Sequence, residues 1–180
     1  PATAPRFGRL LVVLMLAVSV HEAAHAWSAY RLGDPTAHDQ GRTSLLPFRH
    51  IDLVGTLLIP AMLFVMNAPF MIGYAKPTPV DPGRFKDPKR GFALVSLAGP
   101  LSNVGLALGL AALGWILIQG LGIQNPALAQ LLRDGIIINA LLGWLNLLPL
   151  PGFDGMKALY WFLPDAWCWR LQRTERYFVI

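Results

Sequence analysis

Residues 21–25 read His-Glu-Ala-Ala-His. Histidines four apart share one face of a helix. His21 and His25 can therefore offer two imidazole nitrogens to one Zn²⁺, with Glu22 close enough to serve as general base for hydrolysis. The pentapeptide sits in an apolar run, Leu10 to Val20 before it and Ala26-Trp27 after it. Imidazoles and a carboxylate at membrane depth are costly and normally have a function. Two plainer readings compete. Arg6 and Arg9, the Leu10–Val20 run and Ala24-His25-Ala26 have the order of a secretory signal peptide, but Glu22 and His25 fall where such a peptide is uncharged. A histidine pair satisfied in a buried network without metal would leave Glu22 without a task.

A catalytic zinc takes three protein ligands and leaves a position open. Cys168 is the only cysteine, so the third ligand must be His, Asp or Glu. Asp154 is the first choice: it follows a hydrophobic helix in a turn rich in Pro and Gly. An ordinary Asp-Gly turn or a helix N-cap explains Asp154 equally well. Asp39 and Asp52 are weaker candidates, and His38 and His50 read as loop histidines.

The elements that must position these groups are apolar. The chain has 180 residues, 54% hydrophobic and only 14% charged, with mean hydropathy +0.48. Soluble domains carry about 25% charged residues, so this is an integral membrane protein, read as a single domain over residues 1–180. The net charge of +5 resides in loops, which points to membrane topology and excludes nucleic acid as a partner. A first span is predicted over Phe7–Tyr30, ended by Leu32-Gly33-Asp34-Pro35. A second long helix is predicted over Phe92–Gln119, and a third after the Gly120–Pro126 turn, running to Leu148. Arg133 and Asp134 read as a pair within that third helix. A short strand is predicted at Gly41–Leu46, and Ala75–Val80 must be extended because residues before proline leave the helical region. The tail from Met156 reads as an interfacial helix.

Between these lies Leu53–Tyr74, apolar but broken by Asn67-Ala68-Pro69. As a simple span it would split the basic loops across the bilayer. As a re-entrant segment it gathers Arg31, Arg42, Arg49, Lys76, Arg84, Lys86, Lys89 and Arg90 on one side, as the positive-inside rule prefers. The expected architecture is an all-α polytopic membrane protein. Three core transmembrane helices carry the zinc site, beside a re-entrant hydrophobic segment with short β or extended elements and a C-terminal interfacial helix.

HEAAH in the first helix, Ala98-Gly99-Pro100-Leu101-Ser102-Asn103 in a later one and Asn146-Leu147-Leu148-Pro149-Leu150-Pro151-Gly152-Phe153-Asp154-Gly155 near the end resemble the site-2 protease family. His50-Ile51-Asp52…Gly55-Thr56 and Ala75-Lys76-Pro77-Thr78-Pro79-Val80 resemble one subgroup of it. The resemblance covers nearly the whole chain in order. It implies one Zn²⁺ per chain held by His21, His25 and Asp154, with Glu22 as base. It implies that Asn146 positions substrate or the oxyanion, and that Asn103 is a nearby structural or substrate-contacting residue. The departure is Pro151-Gly152-Phe153-Asp154, where the family has Pro-Pro-Leu-Asp. No inserted sensor domain is visible, so the chain resembles a minimal catalytic core.

The implied activity is intramembrane proteolysis of transmembrane or membrane-proximal segments. The site would lie near the cytoplasmic face of a prokaryotic inner membrane. A helical substrate hides its carbonyls and must be unwound. The 75–80 stretch, with Ala75, Lys76 and Pro77 as substrate contacts, or the 41–46 strand would then hold it by strand addition. The expected partners are a transmembrane protein substrate and the lipid bilayer; a homo-oligomer is compatible with the sequence. The alternative is a non-catalytic or metal-handling membrane protein using the same His/Asp site. Such a protein has no need of Glu22. A di-iron enzyme needs more histidines than the four present.

Overall fold

The computed structural model describes residues 3–66, 68, 75–164 and 167–168. Its three long helices are α1 (Thr3–Arg31), α4 (Pro88–Trp115), prolonged by a π-helical turn at Ile116–Gly120, and α5 (Pro126–Leu147). Each is long and apolar enough to cross a membrane. Between α1 and α4 lie α2 (Thr36–Asp39), a π-helical turn at Leu53–Leu58 and α3 (Ile59–Val65). The short α6 (Asp154–Leu159) follows α5.

Local chemistry sets the ends of the helices. The Asp87 carboxylate accepts from Arg90 N–H and Pro88 occupies the first turn of α4. Asn125 accepts from the N–H groups of Ala127 and Leu128, and Pro126 opens α5. At the end of α1, Gly33 adopts φ 109°, which a side chain disfavours, and Asp34 N–H bonds back to Ala29 O at 2.9 Å. The chain then reverses toward α2.

Helix α4 packs against α1, α5 and α6 and is the centre of the bundle. The helices run alternately up and down. Arg9, early in α1, pairs with Asp134, early in α5, at 2.6 Å. Asp134 therefore pairs with Arg9 and not with its neighbour Arg133; adjacent residues on a helix point in different directions. The other end of the bundle gathers the last turns of α1, the first turns of α4 and the last turn of α5.

The segment between α1 and α4 leaves that end and rejoins it. Lys76 N–H donates to His50 O at 3.0 Å, and Arg42 donates to the carbonyls of Lys76 and Pro77, both at 3.0 Å. Residues 50 and 76 are thus neighbours, as a re-entrant segment requires and a simple span forbids. The intervening α3 reaches along α1, where the rings of Phe64 and Phe7 lie 4.3 Å apart. Its Asn67-Ala68-Pro69 break and the stretch 70–74 lie largely outside the described residues.

Two expected elements differ. No strand occurs among the described residues, and 41–46 is a series of turns. Gly41 adopts φ 69°, and the Ser44 hydroxyl takes the N–H of Leu46, so side-chain and turn bonds replace a ladder. After α6 the tail turns back on α4: Lys89 Nζ donates to Leu163 O at 3.0 Å and Tyr160 stacks on Phe92. Most of the expected interfacial helix, 169–180, lies outside the described residues.

Candidate metal centre

His21 and His25 leave the same face of α1 and meet Asp154 at the start of α6. Asp154 Oδ2 lies 3.0 Å from His21 Nε2 and 3.1 Å from His25 Nε2, and the two Nε2 atoms are 3.1 Å apart. All three residues are buried. They are the only such cluster of His, Cys, Asp and Glu among the described residues.

The partners of the other ring nitrogens settle what these atoms offer. His25 Nδ1 faces Val95 O at 2.7 Å, and a carbonyl only accepts, so Nδ1 carries the proton. His21 Nδ1 faces Asn103 Oδ1 at 2.6 Å. That amide cannot be the other way round. Asn103 Nδ2 donates to Ala17 O at 3.0 Å and to Asn139 Oδ1 at 2.8 Å, and Asn139 Nδ2 donates to Gly135 O at 2.8 Å. Backbone carbonyls at Ala17 and Gly135 fix the whole chain of dipoles, so both neutral imidazoles present Nε2 lone pairs. Three electron-rich atoms thus converge on one point. A shared proton relieves one edge of that triangle; a divalent cation relieves all three corners. Ligands at 2.0–2.1 Å in a tetrahedron stand about 3.3 Å apart, so the triangle fits zinc with a fourth position left over.

Asp154 is held as a one-oxygen ligand. Its Oδ1 accepts from Lys157 Nζ at 3.1 Å, which leaves Oδ2 for the histidines. The Lys157 ammonium on Oδ1 favours the ionised carboxylate that a metal ligand must be. Two glycines make the approach possible. A Cβ on Gly99 would lie 2.6 Å from His25 Cε1 and 2.8 Å from His21 Cε1. A Cβ on Gly155 would lie 2.6 Å from Leu148 O, so Gly155 lets the Asp154 turn close onto the end of α5.

The triangle forms one wall of a cavity of about 440 Å³, which Glu22, Ala75, Pro77, Thr78, Val80, Phe92, Ser96, Leu142, Asn146 and Phe153 also line. Glu22 Oε2 accepts from Thr78 N–H at 2.9 Å and from the Thr78 hydroxyl at 2.7 Å.

The chain is 36% identical over 174 residues to "Putative zinc metalloprotease YwhC" of Bacillus subtilis, an alignment covering 93% of this chain and 75% of the relative. The chain belongs to the site-2 protease family. It is also 32% identical over 151 residues to "Putative zinc metalloprotease Rip2" of Mycobacterium tuberculosis and 29% identical over 148 residues to its namesake in Mycolicibacterium smegmatis; each alignment covers 81% of this chain and 53% of the relative. No family model matches the chain, and no solved structure matches it significantly.

In this site-2 protease the remaining expected site residues divide. Asn146 is on the cavity wall; one amide hydrogen goes to Leu142 O at 2.9 Å and the second has no acceptor among the described residues. Asn103 is not among the residues that line the cavity. It is 0% exposed and its amide is spent on His21, Ala17 and Asn139, so it fixes the tautomer of His21 instead. Ala75 and Pro77 line the cavity, whereas Lys76 does not. Strand addition along 75–80 could use only part of its backbone. The N–H groups of Lys76 and Thr78 and the carbonyls of Lys76 and Pro77 are bonded within the protein, and Pro77 and Pro79 have no N–H. The alternative ligands Asp39, Asp52, His38 and His50 stand outside this cluster: Asp52 caps the Leu53–Leu58 turn, His38 stacks on Tyr30, and His50 Nε2 faces Ser44 O at 2.7 Å. Sequence reasoning missed Gly99, Asn139, Lys157 and Thr78. Gly99 and Thr78 stand inside motifs that were noticed, but nothing in a motif says what a residue touches.

Proposed function

We propose that the protein is an intramembrane zinc metalloprotease that hydrolyses peptide bonds in transmembrane or membrane-proximal segments, with one zinc per chain. The observation that carries this reading is the convergence of three lone pairs, on His21, His25 and Asp154, on a cavity that Glu22 also lines, at one end of three spanning helices. Zinc bound there supplies Lewis-acid chemistry and makes water a nucleophile near neutral pH. Glu22 takes the proton of the attacking water and returns it to the leaving amine. Asn146 has an amide hydrogen to offer the oxyanion. Ala75, Pro77 and Phe153 form an apolar wall against which an unwound substrate segment rests.

The site faces the cytoplasm of a prokaryotic inner membrane in this reading. Arg31, Arg42, Arg49, Lys76, Arg84, Lys86, Lys89 and Arg90 all belong to the loops and helix ends at the zinc end of the bundle, while Arg6, Arg9 and Arg133 belong to the other end. The substrate is a transmembrane protein that reaches the cavity from the bilayer.

The test uses the detergent-solubilised chain, its zinc content and a model transmembrane peptide. The parent protein should bind zinc and cleave; Glu22→Gln should bind zinc and not cleave. A parent that binds zinc yet leaves every such peptide intact would favour the metal-handling alternative.

A further inference from the structure

Residues 75–80 cross the mouth of the metal cavity as an extended strap, and both of its ends are fastened. At one end the buried Arg42 donates to the carbonyls of Lys76 and Pro77, and Lys76 N–H bonds to His50 O. At the other, the buried Asp34 accepts from Asp81 N–H at 2.7 Å through Oδ2. Asp34 is itself locked by the Thr36 N–H and hydroxyl on Oδ1. Between these anchors Pro77 fixes its own φ, and Pro79 confines Thr78 to extended backbone. Thr78 is therefore held with little freedom of its own. Flanked by two prolines, it carries the one N–H of 77–79, and that N–H goes to Glu22 Oε2.

The hydroxyl of Thr78 stands 2.7 Å from the same carboxylate oxygen and 3.1 Å from Glu22 O. It has one proton, which goes to the nearer and charged acceptor. Two donors thus converge on Oε2. No hydrogen bond among the described residues reaches Oε1, and Glu22 lines the cavity beside His21 and His25. The two oxygens are unequal: one is anchored by two donors, and the other accepts no hydrogen bond among the described residues.

We propose that Thr78 is a positioning residue for the general base. By taking Oε2 with its amide and hydroxyl it holds the Glu22 side chain in one rotamer and leaves Oε1 to exchange the proton of the attacking water. This rests on the reading of Glu22 as base. The physical reason for such a device is the length of the side chain. Glutamate has three rotatable bonds, and a base must be held within a fraction of an ångström of its working place. The strap supplies from the loop side what the helix face cannot.

The experiment compares the full-length parent with Thr78→Val, Thr78→Ser and Glu22→Gln in detergent, reading zinc content, kcat and KM on one transmembrane peptide. Thr78→Val keeps shape and N–H but loses the hydroxyl. It should keep its zinc and its KM and lose about 10- to 100-fold in kcat, the scale of a mispositioned group. Thr78→Ser should recover most of that loss. Hydrogen exchange gives a readout apart from activity: Glu22→Ala should unprotect the Thr78 amide, adding about one fast-exchanging site to the peptide containing 75–80, and leave α4 unchanged. A parent-like kcat in Thr78→Val, a raised kcat, a loss confined to KM, or unchanged exchange in Glu22→Ala would each overturn the assignment. Glu22→Gln separates the two failures. If it cleaves normally, the reading of Glu22 as base falls. If it is dead while Thr78→Val keeps the parent kcat, only the role of Thr78 falls.

Discussion

The helical core and the strap region both bury polar side chains, but they use them differently. In α1, α4 and α5 the backbone satisfies itself, as any segment in hydrocarbon must. Buried His21, Asn103 and Asn139 are therefore free to bond to one another, with the carbonyls of Ala17, Val95 and Gly135 fixing the network, and His21 and His25 aim lone pairs at one point. The 34–56 and 75–87 stretches have no such ladder. There polar side chains are spent on main chain: buried Arg42 on three carbonyls, buried Asp34 on two N–H groups, and half-buried Asp52 on two more. A regular element can afford a polar network that does chemistry, whereas an irregular one consumes its polar residues in staying folded. At Glu22 and Thr78 a side chain of the one is hydrogen-bonded to a side chain of the other.

That contrast is open to attack, and the strongest blow falls on the core. In Gly99→Ala the new methyl would meet both imidazole rings. Backbone must move, at a typical overpacking cost of about 1–3 kcal/mol, and the ligand triangle cannot keep its shape. Zinc measured by atomic absorption should fall to near zero, with cleavage lost in parallel. Full zinc in a folded Gly99→Ala protein would mean that the core is less tightly determined than its packing implies.

A middling effect is expected from Arg42→Gln. It removes the guanidinium that donates to the carbonyls of Arg49, Lys76 and Pro77, hydrogen bonds from a charged group that contribute about 1.5–3 kcal/mol each. The strap should loosen, seen as faster hydrogen exchange and proteolysis within 42–50 and 75–80. Turnover should drop while zinc stays. If Arg42→Gln strips the metal, core and strap are one cooperative unit and the contrast dissolves.

The smallest effect concerns acid. Burial raises the Asp34 carboxyl, but the Thr36 hydroxyl and N–H, Asp81 N–H and Arg84 together hold it below its ordinary value. A carboxylate lowered in the folded state stabilises fully above its unfolded pKa of about 3.9, and that contribution fades as pH falls through the lower folded value. Protection of the 78–84 amides, taken relative to their intrinsic exchange rate at each pH, should therefore be flat from pH 7 to 5 and fall only below about pH 4. Asp34→Asn should show the looser behaviour at every pH and lose the step. A step near neutral pH would assign the strap's docking to another group.

Much of this was legible beforehand where it depended on local pattern. Apolar runs of spanning length gave three helices, although α4 begins at Pro88, four residues before the expected Phe92, because Asp87 caps it. The four-residue spacing of His21 and His25 put both on one helix face. The proline-broken run and the sorting of charge anticipated that 50 and 76 would be neighbours. Other features misled. Gly41–Leu46 has the composition of a strand but no strand to pair with, and Arg133-Asp134 looked like a pair until α1 brought Arg9 to it.

The sequence by itself determined that this is a helical membrane protein with an HExxH pair, because periodicity and hydropathy act within a few residues of chain. Only the tertiary structure decided what Asp154, Asn103, Lys157 and Thr78 do. Each acts on a residue from another part of the fold or on a second atom of a shared group: Asp154 completes the triangle from 133 residues away, Asn103 sets a tautomer from 82, and Thr78 reaches Glu22 from 56. Residue type told what each could donate or accept. Which atom receives it is fixed by helix packing, by Gly99 and Gly155 letting backbones close, and by a strap whose ends Arg42 and Asp34 tie down. Those are properties of the folded chain, because directional bonds of about 3 Å are set by how elements pack and by no spacing along the sequence.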